Sequence, residues 1–175
     1  ESEKTLDVYS VPRPQKYEVN PNETGDFISI QSAINYATED DTLIVHNGTY
    51  SENIDLLGKA LIIGSEYFTS GDSAHIASTV IDGQLNGSTI TISDISGTIL
   101  KLVGFTIQNG NASNGGAIYS SNSNPVFENL IIKNSTASNS GGGIYLHNNS
   151  SALLNKLTII NNSAQNGGGI YLDSS

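Results

Sequence analysis

In the C-terminal half of the chain, apolar residues fall into short runs of three to six, each bounded by glycine or asparagine, and the runs recur at a fixed interval. Gly115-Gly116-Ala117-Ile118-Tyr119, Gly141-Gly142-Gly143-Ile144-Tyr145 and Gly167-Gly168-Gly169-Ile170-Tyr171 begin 26 residues apart. A second block travels with the first: Leu102, Phe105 and Ile107, then Phe127, Leu130 and Ile132, then Leu154, Leu157 and Ile159, in steps of 25 and 27 residues. A period between about 20 and 50 residues marks a repeat architecture. Runs this short, rich in Ile, Leu, Val and Thr, fit strands and are too short for helices. Two or three strands per turn cannot close a core alone, but stacked turns bury a continuous one.

The pattern therefore predicts an all-β chain, a right-handed parallel β-helix. Ile118, Ile144 and Ile170 form one interior column, and Ile107, Ile132 and Ile159 another. Asn109, Asn134 and Asn161 each follow the second strand, where the backbone turns and Asn tolerates the left-handed conformation. Stacked, their amides would form an Asn ladder along the axis. The competing reading is glycosylation, since Asn134, Asn148, Asn149 and Asn161 match the N-x-[ST] acceptor pattern.

Upstream the pattern is less regular. Residues 1–22 hold three prolines and Arg13, and read as an extended arm or linker; the β-helix domain takes 23–175. Phe27, Ile30, Ile34 and Ala37 stand at helical spacing and place a short amphipathic cap helix at about 29–38, covering the N-terminal end of the solenoid. Irregular coils follow over about 42–110, with strands near 42–45, 54–56 and 60–63 and a projecting loop at 67–78. The regular repeats occupy about 102–175. About six rungs at about 4.8 Å each give a rod of about 30 Å, open at its C-terminal end.

Composition narrows the function. The chain has 175 residues, 7 basic against 17 acidic, a net charge of −10 and no cysteine. That charge repels nucleic acid and anionic membrane surfaces, no disulfide or thiolate metal site is available, and no apolar run is long enough to insert in a membrane. The abundant Ser, Thr, Asn and Gly suit an extracellular or cell-surface location.

Candidate chemistry is sparse. Tyr119, Tyr145 and Tyr171 align on the face opposite the buried isoleucines, as a stacked column that either stabilises the rod or offers a binding face for a glycan or a surface protein. Glu39, Asp40 and Asp41 form an acidic run, read as solvated, with Ca²⁺ as the alternative. His46, His75 and His147 have no carboxylate nearby in sequence and read as surface residues. No residue is assigned as catalytic, and no cofactor is called for.

The stretches "TGDFISIQSAIN", "DDTLIVHNGTYSENI" and "STVIDG" resemble the opening of pectin-lyase-like β-helix proteins, and the "GGAIY" and "GGGIY" turns resemble the repeats of chlamydial polymorphic outer-membrane proteins and other surface proteins. The resemblance implies the fold. Enzymes of that superfamily pair aspartates with an arginine or bind calcium in an acidic cluster, and no such grouping is matched here. The expectation is a non-catalytic structural or adhesive module, partnered by further coils or by itself, end to end or by strand addition from the arm. The alternative is the N-terminal portion of a carbohydrate-active enzyme.

Overall fold

Every strand pairing between neighbouring turns runs parallel, and each sheet takes its strands in chain order with one full turn of chain between them. That is a parallel β-helix. The computed structural model describes residues 14–95 and 99–173. The first sheet stacks Lys16–Val19, Thr42–Val45, Ile62–Ser65, Lys101–Val103, Val126–Glu128 and Leu153–Asn155. The second stacks Gly48–Tyr50, Thr79–Asp82, Thr106–Gln108, Ile131–Lys133 and Thr158–Ile160; the third stacks Ile54–Asp55, Ile90–Ser93, Ile118–Ser121, Ile144–His147 and Ile170–Leu172. A short fourth sheet, Asn111–Asn114 on Thr136–Ser140, spans the side of the last turns.

The alternation of the strands puts one column of each sheet inside. Ile118, Ile144 and Ile170 are in register, and the column continues upstream through Ile90 and Ile54. Ile107, Ile132 and Ile159 are likewise in register and continue through Ile81 to Tyr50. Ile144 and Ile132 have no exposed surface, whereas Ile170 in the last described rung is 39% exposed.

Three features differ from the sequence reading. Residues 1–13 of the arm lie outside the described residues, but Lys16–Val19 is no linker: it is the first strand of the first sheet, with Tyr17 opposite Leu43 and Val19 opposite Val45. Two alternating apolar residues suffice because the partner strand is already an apolar edge. Gly48–Tyr50 is a strand, and its Tyr50 fills a core position where the columns elsewhere carry isoleucine. The excursion at 67–78 holds two short helices, α2 at Tyr67–Ser70 and α3 at Ala74–Ser78, separated by the left-handed Gly71.

The cap helix, α1, lies at Ile30–Tyr36 with Ser29 as its N-cap, and buries Ile30, Ala33 and Ile34 on the first rung. At seven residues it is too short to persist alone, and the rung beneath it holds both its ends. The Glu52 carboxylate accepts from Ile30 N and Gln31 N, each at 2.9 Å. Lys59 Nζ donates to the carbonyls of Ile34, Asn35 and Ala37 at 2.7, 3.0 and 2.8 Å. Negative charge at the N-terminus and positive charge at the C-terminus both oppose the helix dipole. Lys59→Met, which keeps the stem and removes the donors, is expected to cost about 1 kcal/mol and to lower Tm by about 3 °C in thermal unfolding.

Candidate functional site

The three aligned tyrosines stack on one another along the outer face of the third sheet. Ring centroids of Tyr119 and Tyr145 are 5.7 Å apart at 21°, and those of Tyr145 and Tyr171 are 5.8 Å apart at 6°. His147 stacks on Tyr145 at 5.7 Å. The column is less open than strand alternation suggests, for Tyr145 is only 6% exposed. Its hydroxyl donates to Asp173 Oδ2 at 2.9 Å, and burial, then that hydrogen bond, push its pKa up to about 12. Stacking on a sugar requires an open ring face, and here the rings cover one another. The geometry is that of a spine joining rungs.

Asn109, Asn134 and Asn161 all take left-handed backbone, with φ of 57°, 55° and 55°. Among the described residues no amide-to-amide bond links them; the Asn109 amide donates instead to Asp82 Oδ2 at 2.8 Å. The ladder sits one residue later. Ser135 Oγ accepts from Gly110 N at 3.1 Å, and Asn162 Oδ1 accepts from Ser135 N at 2.9 Å while its amide donates to the Ile132 carbonyl. At another corner Ser123 Oγ accepts from Ile95 N at 3.0 Å and Ser150 Oγ accepts from Ser123 N at 3.2 Å. In both ladders a side-chain oxygen satisfies an otherwise unpaired backbone donor of the rung before it, which a buried turn requires. The serines following the turn asparagines were the available signal.

In the acidic run Glu39 and Asp40 are exposed, as a solvated face requires, but Asp41 is not. Asp41 is fully buried and accepts from Gln15 N, Thr38 N and the Thr38 hydroxyl, and Glu39 accepts from Ala60 N. Both carboxylates hold backbone together where the chain leaves the cap helix. Among the described residues, no group of three or more His, Cys, Asp or Glu is arranged to hold a metal ion.

The histidines do have carboxylate partners, supplied by neighbouring rungs. His46 Nε2 lies 2.9 Å from Glu18 Oε2 and its Nδ1 lies 3.1 Å from Glu66 Oε1. His75 Nδ1 lies 2.9 Å from Asn47 Oδ1 and 3.4 Å from Glu66 Oε2, and His147 Nδ1 lies 3.3 Å from Asp173 Oδ2. Beside the first group a cleft of about 280 Å³ opens between the excursion and the first sheet, lined by Tyr67, Phe68, Gly71, Lys101, Val103 and Glu128. Lys101 pairs with Glu128 at 2.8 Å and lies 5.8 Å from the Phe68 ring. Arg13 falls outside the described residues.

This assembly of stacked parallel rungs, polar corner ladders and an aromatic spine defines a β-helix repeat protein. The family model of the Chlamydia polymorphic membrane protein repeat matches residues 156–173, which run from the corner at Lys156 through the strand Ile170–Leu172. No curated protein matches the chain. No helix among the described residues is long and apolar enough to cross a membrane.

Proposed function

We propose that the chain is a non-catalytic surface module with a structural or adhesive role, and that a rung of the same repeat type, from the same chain or from a second copy, stacks on its last described rung. The observation that carries this reading is the row of apolar side chains there. Leu153, Leu154, Ile160, Ile170 and Leu172 are exposed, whereas their partners one rung earlier include the buried Phe127, Ile144 and Leu146. Unpaired strand edges with apolar neighbours attract another strand. The match to a repeat of membrane proteins supports an outer-membrane or cell-surface location. The cap helix closes the opposite end, so the stacking is directional.

Light scattering of the chain is expected to show concentration-dependent association that Leu153→Lys with Leu172→Lys suppresses. A monodisperse monomer at high concentration, with 158–172 protected from hydrogen exchange, would overturn the stacking reading. Incubation with pectin-like substrates, with and without Ca²⁺, is expected to release nothing. Reducing ends, unsaturated uronides or methanol above background would establish the enzyme reading instead.

A further inference from the structure

The excursion that carries α2 and α3 leaves the coil after Ser65 and returns at Thr79, and it is seated closely. A Cβ on Gly64 would lie 2.5 Å from Phe68 Cβ, and one on Gly104 would lie 2.8 Å from Tyr67 Cβ, so two glycines of the coil make room for it. Thr106 Oγ1 donates to the Ile76 carbonyl at 2.9 Å. Glu66 stands at the root of the excursion. Its carboxylate faces His46 at 3.1 Å and His75 at 3.4 Å, and accepts from Asn47 N at 3.3 Å.

His46 is held between two carboxylates on opposite edges of its ring, Glu18 on the first strand and Glu66 on the excursion. A neutral imidazole has one N–H and one lone pair, so it donates to one carboxylate and turns a lone pair to the other. Only the imidazolium satisfies both. His75 differs: its Nδ1 is hydrogen-bonded to the Asn47 side-chain oxygen at 2.9 Å, and Glu66 lies farther off at 3.4 Å. The other charged groups around the cluster are Lys16, paired with Glu18 at 2.8 Å, and Glu52. Tyr50 stays protonated beside it, its pKa raised by burial, then by Glu52 and Glu66.

We propose that His46 is a proton-operated latch: with both ring nitrogens protonated it ties the root of the 67–78 excursion to the first strand, and with one proton lost it lets go. The excursion forms the Phe68 wall of the cleft over Lys101 and Glu128, so the latch governs how firmly that wall is held. The stabilisation belongs to the charged imidazole. It needs both ring protons, and removal of either one leaves one of the two carboxylates facing a lone pair.

Hydrogen exchange of the whole chain at about pH 5.5 and about pH 8, either side of the imidazole range, tests this once rates are corrected for intrinsic pH dependence. Protection of 67–78, measured relative to 106–133, is expected to fall roughly threefold to tenfold at the higher pH, a modest factor because the groups are about one-third exposed. His46→Gln is expected to abolish the pH dependence and His75→Gln to keep it. Glu66→Gln, which leaves the ring and the coil intact, is expected to give low protection at both pH values. Protection of 67–78 that does not change with pH in the parent overturns the latch, as does pH dependence that survives His46→Gln or disappears in His75→Gln. Recovery of protection at pH 8 on adding Zn²⁺, reversed by EDTA, would also overturn it by making a metal ion the bridging cation.

Discussion

Ile144→Asp is expected to unfold the C-terminal rungs. Ile144 has no exposed surface and is in register with Ile118 on one side and Ile170 on the other. An aspartate there has no cation to pair with inside the column, and its carboxylate loses its hydration, a penalty of at least about 4 kcal/mol. Neighbouring rungs hold each other in place, so the loss spreads to both. Circular dichroism and hydrogen exchange on the purified variant would show it: the strands Ile118–Ser121 and Ile170–Leu172 should lose protection with position 144, and Tm should fall by about 8 °C or more. An unchanged Tm would mean that the side chain at 144 points out of the core.

Gly142→Val is expected to be nearly as damaging, by a different route. A Cβ at Gly142 would lie 2.5 Å from the Gly168 carbonyl oxygen of the next rung and 2.6 Å from the Ser163 carbonyl carbon. Both are backbone atoms, so neither can rotate aside. The same residue donates its N–H to Gly167 O at 3.2 Å, a bond that separation of the rungs would break. Forcing the rungs apart costs about 3 kcal/mol, at the upper end of overpacking penalties. Gly141 carries two costs at once, since its φ of 67° disfavours any side chain and a Cβ there would lie 2.5 Å from the Ile144 carbonyl oxygen. Urea unfolding of Gly142→Val should show this loss of about 3 kcal/mol, and an unchanged stability would show that the rungs are not held at this distance.

The period was legible because the constraints behind it recur identically: each rung needs a left-handed turn, a glycine flush against the next rung and an inward isoleucine, and each leaves its residue type in the sequence. The cap helix was legible because Ile30 and Ile34 keep helical spacing on their own. What escaped depends on which rungs touch. Glu18, His46 and Glu66 stand 28 and 20 residues apart and meet only because the coil brings successive turns into register. Asp41 looked like part of an acidic surface because its acceptors serve backbone N–H groups, which carry no sequence signature. The tyrosine column was visible as an alignment, yet Tyr145, already stacked between Tyr119 and Tyr171, also meets Asp173 and His147, two residues outside the motif. At the corners, attention to the asparagines hid the serines beside them, because a left-handed φ is readable from residue type and a rung-to-rung hydrogen bond is not.

The clamp on the cap helix also sets an order of assembly. Glu52 and Lys59 lie 22 and 25 residues beyond the Ile30 N–H and the Ile34 carbonyl that they bind, and a seven-residue helix has too few internal bonds to outlive its nucleation cost. The helix, made before the residues that clamp it, therefore has nothing to fold on until the turn behind it has closed. A chain emerging in sequence order holds its lid open, and shuts it only when the chamber beneath has been built.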